Sequence, residues 1–380
     1  MAQNLPVPML RPRVKPEHAP HRITGGKIRI GGVSYGIAAE IADPDGWVWT
    51  MLSAMDGSRG LPEVVEYVHQ AHPGQPVGLL RRGAEQILGT GYVEDAAGPV
   101  PGGLTERDIR RYDRATGYFR WLDLTPRASS WEAQARLRDA QVTVLGVGGT
   151  GGIAALALAA SGVGRLHCVD PDKVEPSNLS RQVLYAEDDI GNPKADAAVC
   201  RLRRLNGDIK ITGQRMEATS TEDVLGLAGD CDVLLLAADR PPELRIWTNR
   251  ACLEARSPWV DAGYHGPLVQ GAAFVPGVGP CWECTRLYLD DSTAADGLYP
   301  GDSPHRREAV LSAVGAVPAG ISGYLAAHLV IALLTGVPPV VPGRIETVNL
   351  GALDAPLVLH DQPHPRCEAC GAGAASELAW

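Results

Sequence analysis

From Arg22 to Asp95 short apolar runs alternate with turn residues. Lys27-Ile-Arg-Ile30 and Val33 to Ile41 read as two short strands joined through Gly31-Gly32. Trp47 to Met55, Leu61 to His72 and Val77 to Leu88 carry apolar residues at helical spacing, punctuated by Gly57, Gly60, Pro73, Gly74 and Pro76. Two strands and three helices in this compass are the outline of a winged-helix-like α+β domain over 22–95. Ala96 to Leu104, made of Ala, Gly, Pro and Val with little else, reads as a linker, and 105–380 as a second domain. There the rhythm changes. Helical segments around Arg111–Arg114 and Trp131–Ala140 lead into strand 142–147, helix 153–161, strand 165–170, helix 194–205, strand 210–215 and strand 233–238. Strands alternating with helices predict an α/β, Rossmann-like fold with a mostly parallel sheet covered on both faces.

The first 21 residues are rich in Pro, Arg and His and lack an apolar core, so they are expected to be flexible and not a secretory signal, which places the chain in the cytoplasm. Ala313 to Leu334 is nearly long enough to span a bilayer, but Ser322, Tyr324, His328 and several glycines favour a buried helix, with a subunit interface as one location for it, over a membrane span.

Composition narrows the partners. The chain has 380 residues, 45% hydrophobic and 21% charged, with only 2 Phe, so aliphatic side chains must fill the core. A formal net charge of -9 speaks against a nucleic-acid surface, which needs basic residues to displace counterions. The 22–95 segment, with six cations against nine carboxylates, suits a peptide better than the phosphates met by DNA-binding winged helices. Of eight cysteines, Cys281-x-x-Cys284 and Cys367-x-x-Cys370 form paired knuckles 82 residues apart. Four thiolates predict a closed structural zinc site rather than a redox pair, since neither pair opens a thioredoxin-like helix. Cys168, Cys200, Cys231 and Cys252 read as small buried residues.

Gln141-Val-Thr-Val-Leu-Gly146-Val-Gly148-Gly149-Thr-Gly151-Gly152 is an apolar strand running into glycines and then an Ala-rich helix. Such a turn lets a phosphate approach the free N–H groups of a helix N-terminus. Asp170, 24 residues after Gly146, is placed to accept from ribose hydroxyls. These features fit NAD, FAD, S-adenosylmethionine or ATP equally. Arg181 and Lys194, on the next loop and at the next helix start, add two cations that nucleotidyl transfer needs and hydride transfer does not. Asp239 closes the apolar strand 233–238, where it can take part in a magnesium site or cap the helix expected over 241–253.

Arg111-Tyr-x-Arg114, the glycine loop, Asp170-Pro-Asp172-Lys-Val-Glu-Pro-Ser-Asn178-Leu-Ser-Arg181-Gln182, Asp189-Ile-Gly-Asn-Pro-Lys194, Asp239 and both C-x-x-C pairs together resemble the ThiF/MoeB/HesA family, the bacterial relatives of ubiquitin-activating enzymes, over about two thirds of the chain. The resemblance implies ATP-dependent adenylation of a C-terminal carboxylate by a homodimer. Gly146, Gly148, Gly149, Gly151 and Asp172 would belong to the nucleotide site, Asp170 would bind ribose, Asn178, Arg181 and Lys194 the phosphates, and Asp239 the magnesium. Arg114 would reach into the partner subunit's site. Thr285 to Ala309 contains no Cys, unlike the thioester-forming branch, and its His305, Arg306 and Arg307 are assigned no catalytic role. A small module ahead of an adenylating domain is similar to enzymes that modify ribosomally made peptides, with Val33 to Ile41 as the edge receiving a leader peptide. Alternatives are a leader-binding scaffold partnering a cyclodehydratase, with a vestigial nucleotide site, and an activator of a ubiquitin-like sulfur carrier.

Overall fold

The computed structural model describes residues 11–32, 36–295, 314–353, 364, 366, 367, 369 and 370. Two compact units divide between Arg136 and Leu137, later than the composition-based linker at 96–104.

The first unit begins earlier than its sequence suggests. β1 (Pro12–Val14) pairs antiparallel with β5 (Val93–Asp95), and a 3-10 turn at Pro16–His18 buries His18 completely. Residues 12–18 are therefore built into the unit and are not a flexible lead-in. Pro12 reads as a breaker in sequence, yet an edge strand accepts proline because its outward N–H is not needed. β2 (His21–Ile23), β3 (Lys27–Ile30) and β4 (Ala39–Ala42) form an antiparallel sheet in that order. The strand expected over 33–41 is confined to β4: Gly36 turns at φ +74°, and the Tyr92 hydroxyl donates to the Ile37 carbonyl at 2.5 Å, taking that group out of the ladder. Residues 33–35 lie outside the described residues. Helices α1 (Trp47–Ala54), α2 (Leu61–Ala71) and α3 (Val77–Leu88) fall where the helical spacing places them, with Met51, Val64, Val68, Leu80 and Ala84 fully buried between them. α4 (Glu106–Leu122) opens on a capping box, Thr105 Oγ1 accepting from Asp108 N at 3.1 Å and Asp108 Oδ2 accepting from Thr105 N at 2.9 Å.

After α5 (Glu132–Asp139), the second unit is built on seven strands. They are β6 (Gln141–Leu145), β7 (Arg165–Val169), β8 (Lys210–Gln214), β9 (Val233–Leu236), β10 (Trp259–His265), β11 (Leu268–Phe274) and β12 (Ile345–Asn349), in the order β12-β11-β10-β9-β6-β7-β8. β10, β9, β6, β7 and β8 run parallel, and β11 and β12 are antiparallel additions. β9 is buried along its whole length, as a strand covered on both faces must be. The order reverses around β6, with β7 on one side and β9 on the other, which opens a crevice at the C-terminal ends of those strands. The helices are α6 (Gly149–Ser161), α7 (Lys194–Leu205), α8 (Thr221–Gly229), α9 (Leu244–Ala255), α10 (Trp282–Ala295) and α11 (Ala316–Thr335). The apolar run is α11, buried along one side: a Cβ on Gly323 would lie 2.6 Å from the Thr150 carbonyl, so α11 packs directly onto α6, and Ser322 Oγ meets Thr150 Oγ1 at 2.7 Å, while Val317 and Tyr324 are exposed. Cys200 is exposed on α7 and Cys231 half-buried, which corrects the expectation that all four scattered thiols are buried.

Candidate active site

A cleft of about 730 Å³ lies at the C-terminal edge of the parallel strands. Gly146, Gly148, Gly149, Asp170, Asp172, Arg181, Lys194 and Asp239 all line it. Its size falls within the range of ligand-binding cavities.

The glycine loop forms the floor. Gly146 has φ +92°, a backbone region open to glycine, and a Cβ there would meet the Ala237 carbonyl carbon at 2.9 Å. Gly151 does not line the cleft; a Cβ on it would sit 1.8 Å from the Gly146 carbonyl, so its role is to let the first turn of α6 close onto the loop. Gly148 is the N-cap of α6 and brings no side-chain cap, which leaves the first N–H groups of that helix for an anion.

Asp170 stands immediately after β7. Its Oδ2 accepts from Val147 N at 2.8 Å and its Oδ1 from Asp172 N at 2.9 Å. Burial pushes this carboxyl above the ordinary aspartate range, and the Lys194 ammonium opposes the rise. A carboxylate has about four lone-pair sites, so two backbone bonds leave room for ribose hydroxyls. Lys194, only 7% exposed in its side chain, extends from the start of α7 and donates to Asp172 Oδ2 at 2.7 Å. Tyr185 ties the two elements together, its hydroxyl donating to the Val147 carbonyl at 2.8 Å and reaching the Lys194 carbonyl at 3.3 Å.

Arg181 is half-buried on the intervening loop. Asn178 is not brought to the cleft: its Oδ1 accepts from Glu175 N at 3.1 Å, and its carbonyl accepts from Arg181 N and Gln182 N at 3.0 and 2.8 Å. In this geometry its carbonyl positions Arg181 and Gln182. Gln182 was not singled out in the sequence. It is buried on the cleft wall, and its Oε1 has no partner among the described residues.

On the opposite wall Asp239 is 82% exposed in its side chain and accepts from Arg245 Nη2 at 3.1 Å. The helix that follows starts at Leu244 with Glu243 at its N-cap, which removes the capping alternative for Asp239. Arg245 also holds buried Asp261, its Nε donating to the two carboxylate oxygens at 3.2 and 3.1 Å. Sequence spacing gave no sign of Arg245 or Asp261, whose relation exists only because α9 lies across β10. Arg114 belongs to the first unit and is exposed on α4.

Away from the cleft, Cys281, Cys284, Cys367 and Cys370 bring their sulfurs within 4.8 Å of one another. Sγ separations of 3.8, 3.5 and 3.1 Å compare with the roughly 3.8 Å edge of a tetrahedron of thiolates at about 2.3 Å from zinc. Asn249 Nδ2 lies 3.7 Å from Cys281 Sγ and its Oδ1 accepts from Trp282 N at 3.2 Å, an outer shell that orients the first knuckle. The donor set fits a closed zinc site, with no ligand position left open to substrate. His305, Arg306 and Arg307 lie outside the described residues.

The ThiF family model matches residues 123–369. The vegetative HesA protein of Trichormus variabilis is 33% identical over 250 residues, 66% of this chain and 85% of that protein. The sulfur carrier protein ThiS adenylyltransferase of Escherichia coli is 34% identical over 241 residues, 62% of this chain and 84% of its own length. Among solved structures, E. coli MccB with AMPCPP and MccA superposes with a TM-score of 0.72 at 21% identity, covering 95% of this chain and 99% of that one. The likeness in fold thus runs beyond the matched domain into the N-terminal unit.

Proposed function

The chain belongs to the ThiF family, and from that premise we propose that it uses ATP to adenylate the C-terminal carboxylate of a ribosomally made precursor peptide. The observation that carries this is the convergence of the glycine loop, Asp170, Arg181, Lys194 and Asp239 on one cleft. Asp170 holds the ribose. Lys194 and Arg181 neutralise the charge that builds on the phosphoryl oxygens and the leaving group. The peptide carboxylate oxygen attacks the α-phosphorus, the bond to the β-phosphate oxygen breaks, and pyrophosphate leaves with the electron pair. Asp239 would supply one carboxylate to a magnesium ion, which would help neutralise the charge on the phosphates. Asp172 keeps Lys194 extended over the loop until the phosphates share it. Arg114 completes the partner's site in a homodimer, and the four cysteines hold a zinc ion that pins the C-terminal segment.

Support for a peptide comes from the 22–95 segment, with its excess of carboxylates over cations, which we read as a winged-helix-like clamp with β4 at the edge of its sheet. The MccB neighbours include structures with MccA, described for one as the microcin C7 biosynthetic enzyme with N-formylated MccA. A second reading, activation of a small sulfur-carrier protein, is favoured by relatives such as the E. coli ThiS adenylyltransferase and the Thermus thermophilus sulfur carrier protein adenylyltransferase. Pyrophosphate release from ATP separates the two. Release driven by a precursor peptide encoded beside the gene is expected; release driven only by a carrier with a Gly-Gly end would replace the peptide reading.

A further inference from the structure

Helix α9 begins at the cleft and runs to the cysteine cluster. Arg245, Asn249 and Leu253 stand four residues apart along it and so share one face. Arg245 lines the cleft and, among the described residues, is the one side chain bonded to Asp239, at 3.1 Å. Its Nε also holds Asp261 of β10, so moving the guanidinium would leave a buried carboxylate unpaired, which is costly. The carboxylate of Asp239 is thus placed by Arg245, and Arg245 by α9 and β10. One turn further on, Asn249 is fully buried and gives its whole amide to the first cysteine pair. Its Oδ1 accepts from Trp282 N at 3.2 Å, while its Nδ2 donates to Glu283 Oε1 at 3.1 Å and lies 3.7 Å from Cys281 Sγ. Arg250 grips the same Glu283 carboxylate, Nε donating to Oε1 at 3.1 Å and Nη2 to Oε2 at 3.3 Å. At the third position Leu253 packs against the cysteines themselves.

We propose that the four-cysteine knuckle sets the position of Asp239 in the cleft, with Asn249 as the positioning residue and the Arg245–Leu253 face of α9 as the link. The inference rests on the nucleotide-binding reading of the cleft. Zinc held by the four thiolates would fix Cys281 and, through it, the backbone of Trp282 and the side chain of Glu283. Those two residues hold Asn249 from both ends of its amide, so the knuckle and the middle of α9 move as one. From Asn249 to Arg245 is one helical turn, about 6 Å along the axis. A turn closed by its own backbone hydrogen bonds carries a displacement at one end to the other. The knuckle therefore does more than pin the C-terminal segment: it holds in place an exposed carboxylate that has a single side-chain partner.

The test is a double-mutant cycle read by calorimetric binding of ATP in excess magnesium, whose dissociation constant does not depend on the fraction of folded protein. Asn249→Ala should weaken binding on the order of 2- to 30-fold in the wild-type background, the range for substitutions along a network that joins two sites. In the Asp239→Ala background the same substitution should change nothing further, because the group it positions is gone. Equal losses in the two backgrounds, or no loss in either, would overturn the link and leave nucleotide binding standing. Zinc affinity, measured by competition with a chromophoric chelator, should fall roughly 10- to 100-fold in Asn249→Ala, as for other groups that orient metal ligands. An unchanged zinc affinity would remove Asn249 from the knuckle and overturn the link as well. Arg250→Ala, at a side chain 58% exposed, keeps the cycle open if Asn249→Ala does not fold: it should show a smaller loss of ATP binding, again absent without Asp239. No binding of ATP by wild type would overturn the nucleotide reading and the link with it.

Discussion

The two walls of the cleft each carry a carboxylate at the end of a parallel strand, and they are built in opposite ways. Asp170 is buried and bonded to two backbone N–H groups, one from the glycine loop and one from its own turn. Asp239 is 82% exposed and bonded to one arginine side chain that also serves Asp261. On the first wall the carboxylate is part of the architecture, because removing it strands the loop's own N–H. On the second wall the carboxylate is exposed and held by a single side chain, which leaves it open to a ligand. A group can thus be indispensable to a site either because the fold depends on it or because nothing else does.

The largest expected effect lies on the exposed wall. Asp239→Ala should lower adenylation by about 100- to 1000-fold, the scale seen when one preorganised electrostatic partner is removed. Its free energy of unfolding, from urea titration, should move by no more than a surface substitution does, about 0.5 kcal/mol. Retained activity would remove the magnesium assignment, whereas a large loss of stability would show that Arg245 needs Asp239 as well as Asp261.

Asp170→Ala sharpens the contrast from the other side. It leaves Val147 N without its acceptor in a buried setting, which costs about 1–3 kcal/mol. Stability and activity should fall together in this variant, and urea unfolding alongside ATP binding by calorimetry would show it. Equal stability of the Asp170 and Asp239 variants would dissolve the distinction between the walls.

The difference between the walls also explains which parts of the site were legible in the sequence. The first wall is local: strand, glycines, Asp170, Arg181 and Lys194 follow one another in chain order, and each constraint acts on neighbours along the backbone. Helix α7, expected over 194–205, has those bounds in the structure. The second wall joins α9 to β10, and neither Arg245 nor Asp261 carries a local mark of its role. Spacing also did not show that Asn178 Oδ1 accepts from Glu175 N, a bond within the 3-10 turn at Pro176–Asn178. Strands β10, β11 and β12 all escaped notice, the last two where the sheet turns antiparallel and the strand–helix alternation stops. In the first unit Pro12 and Pro16 masked an ordered segment for the same reason: its strand is defined by a partner at Val93–Asp95, about 80 residues away.

The smallest expected effect is a slope. Burial raises the Asp170 carboxyl above its ordinary value of 3.8, with Lys194 only partly offsetting it. Since the folded value lies above the unfolded one, the native state holds the proton more tightly, and this contribution to stability is fully present below the unfolded value. It is lost as pH rises through the folded value. Asp170→Asn cannot ionise, so its stability relative to wild type should improve as pH climbs from below 3.8 toward neutrality, whatever constant penalty the amide brings. Urea midpoints of the two proteins across that interval measure the slope directly. A difference that stays flat across that interval would remove the burial-driven rise from the account of this wall.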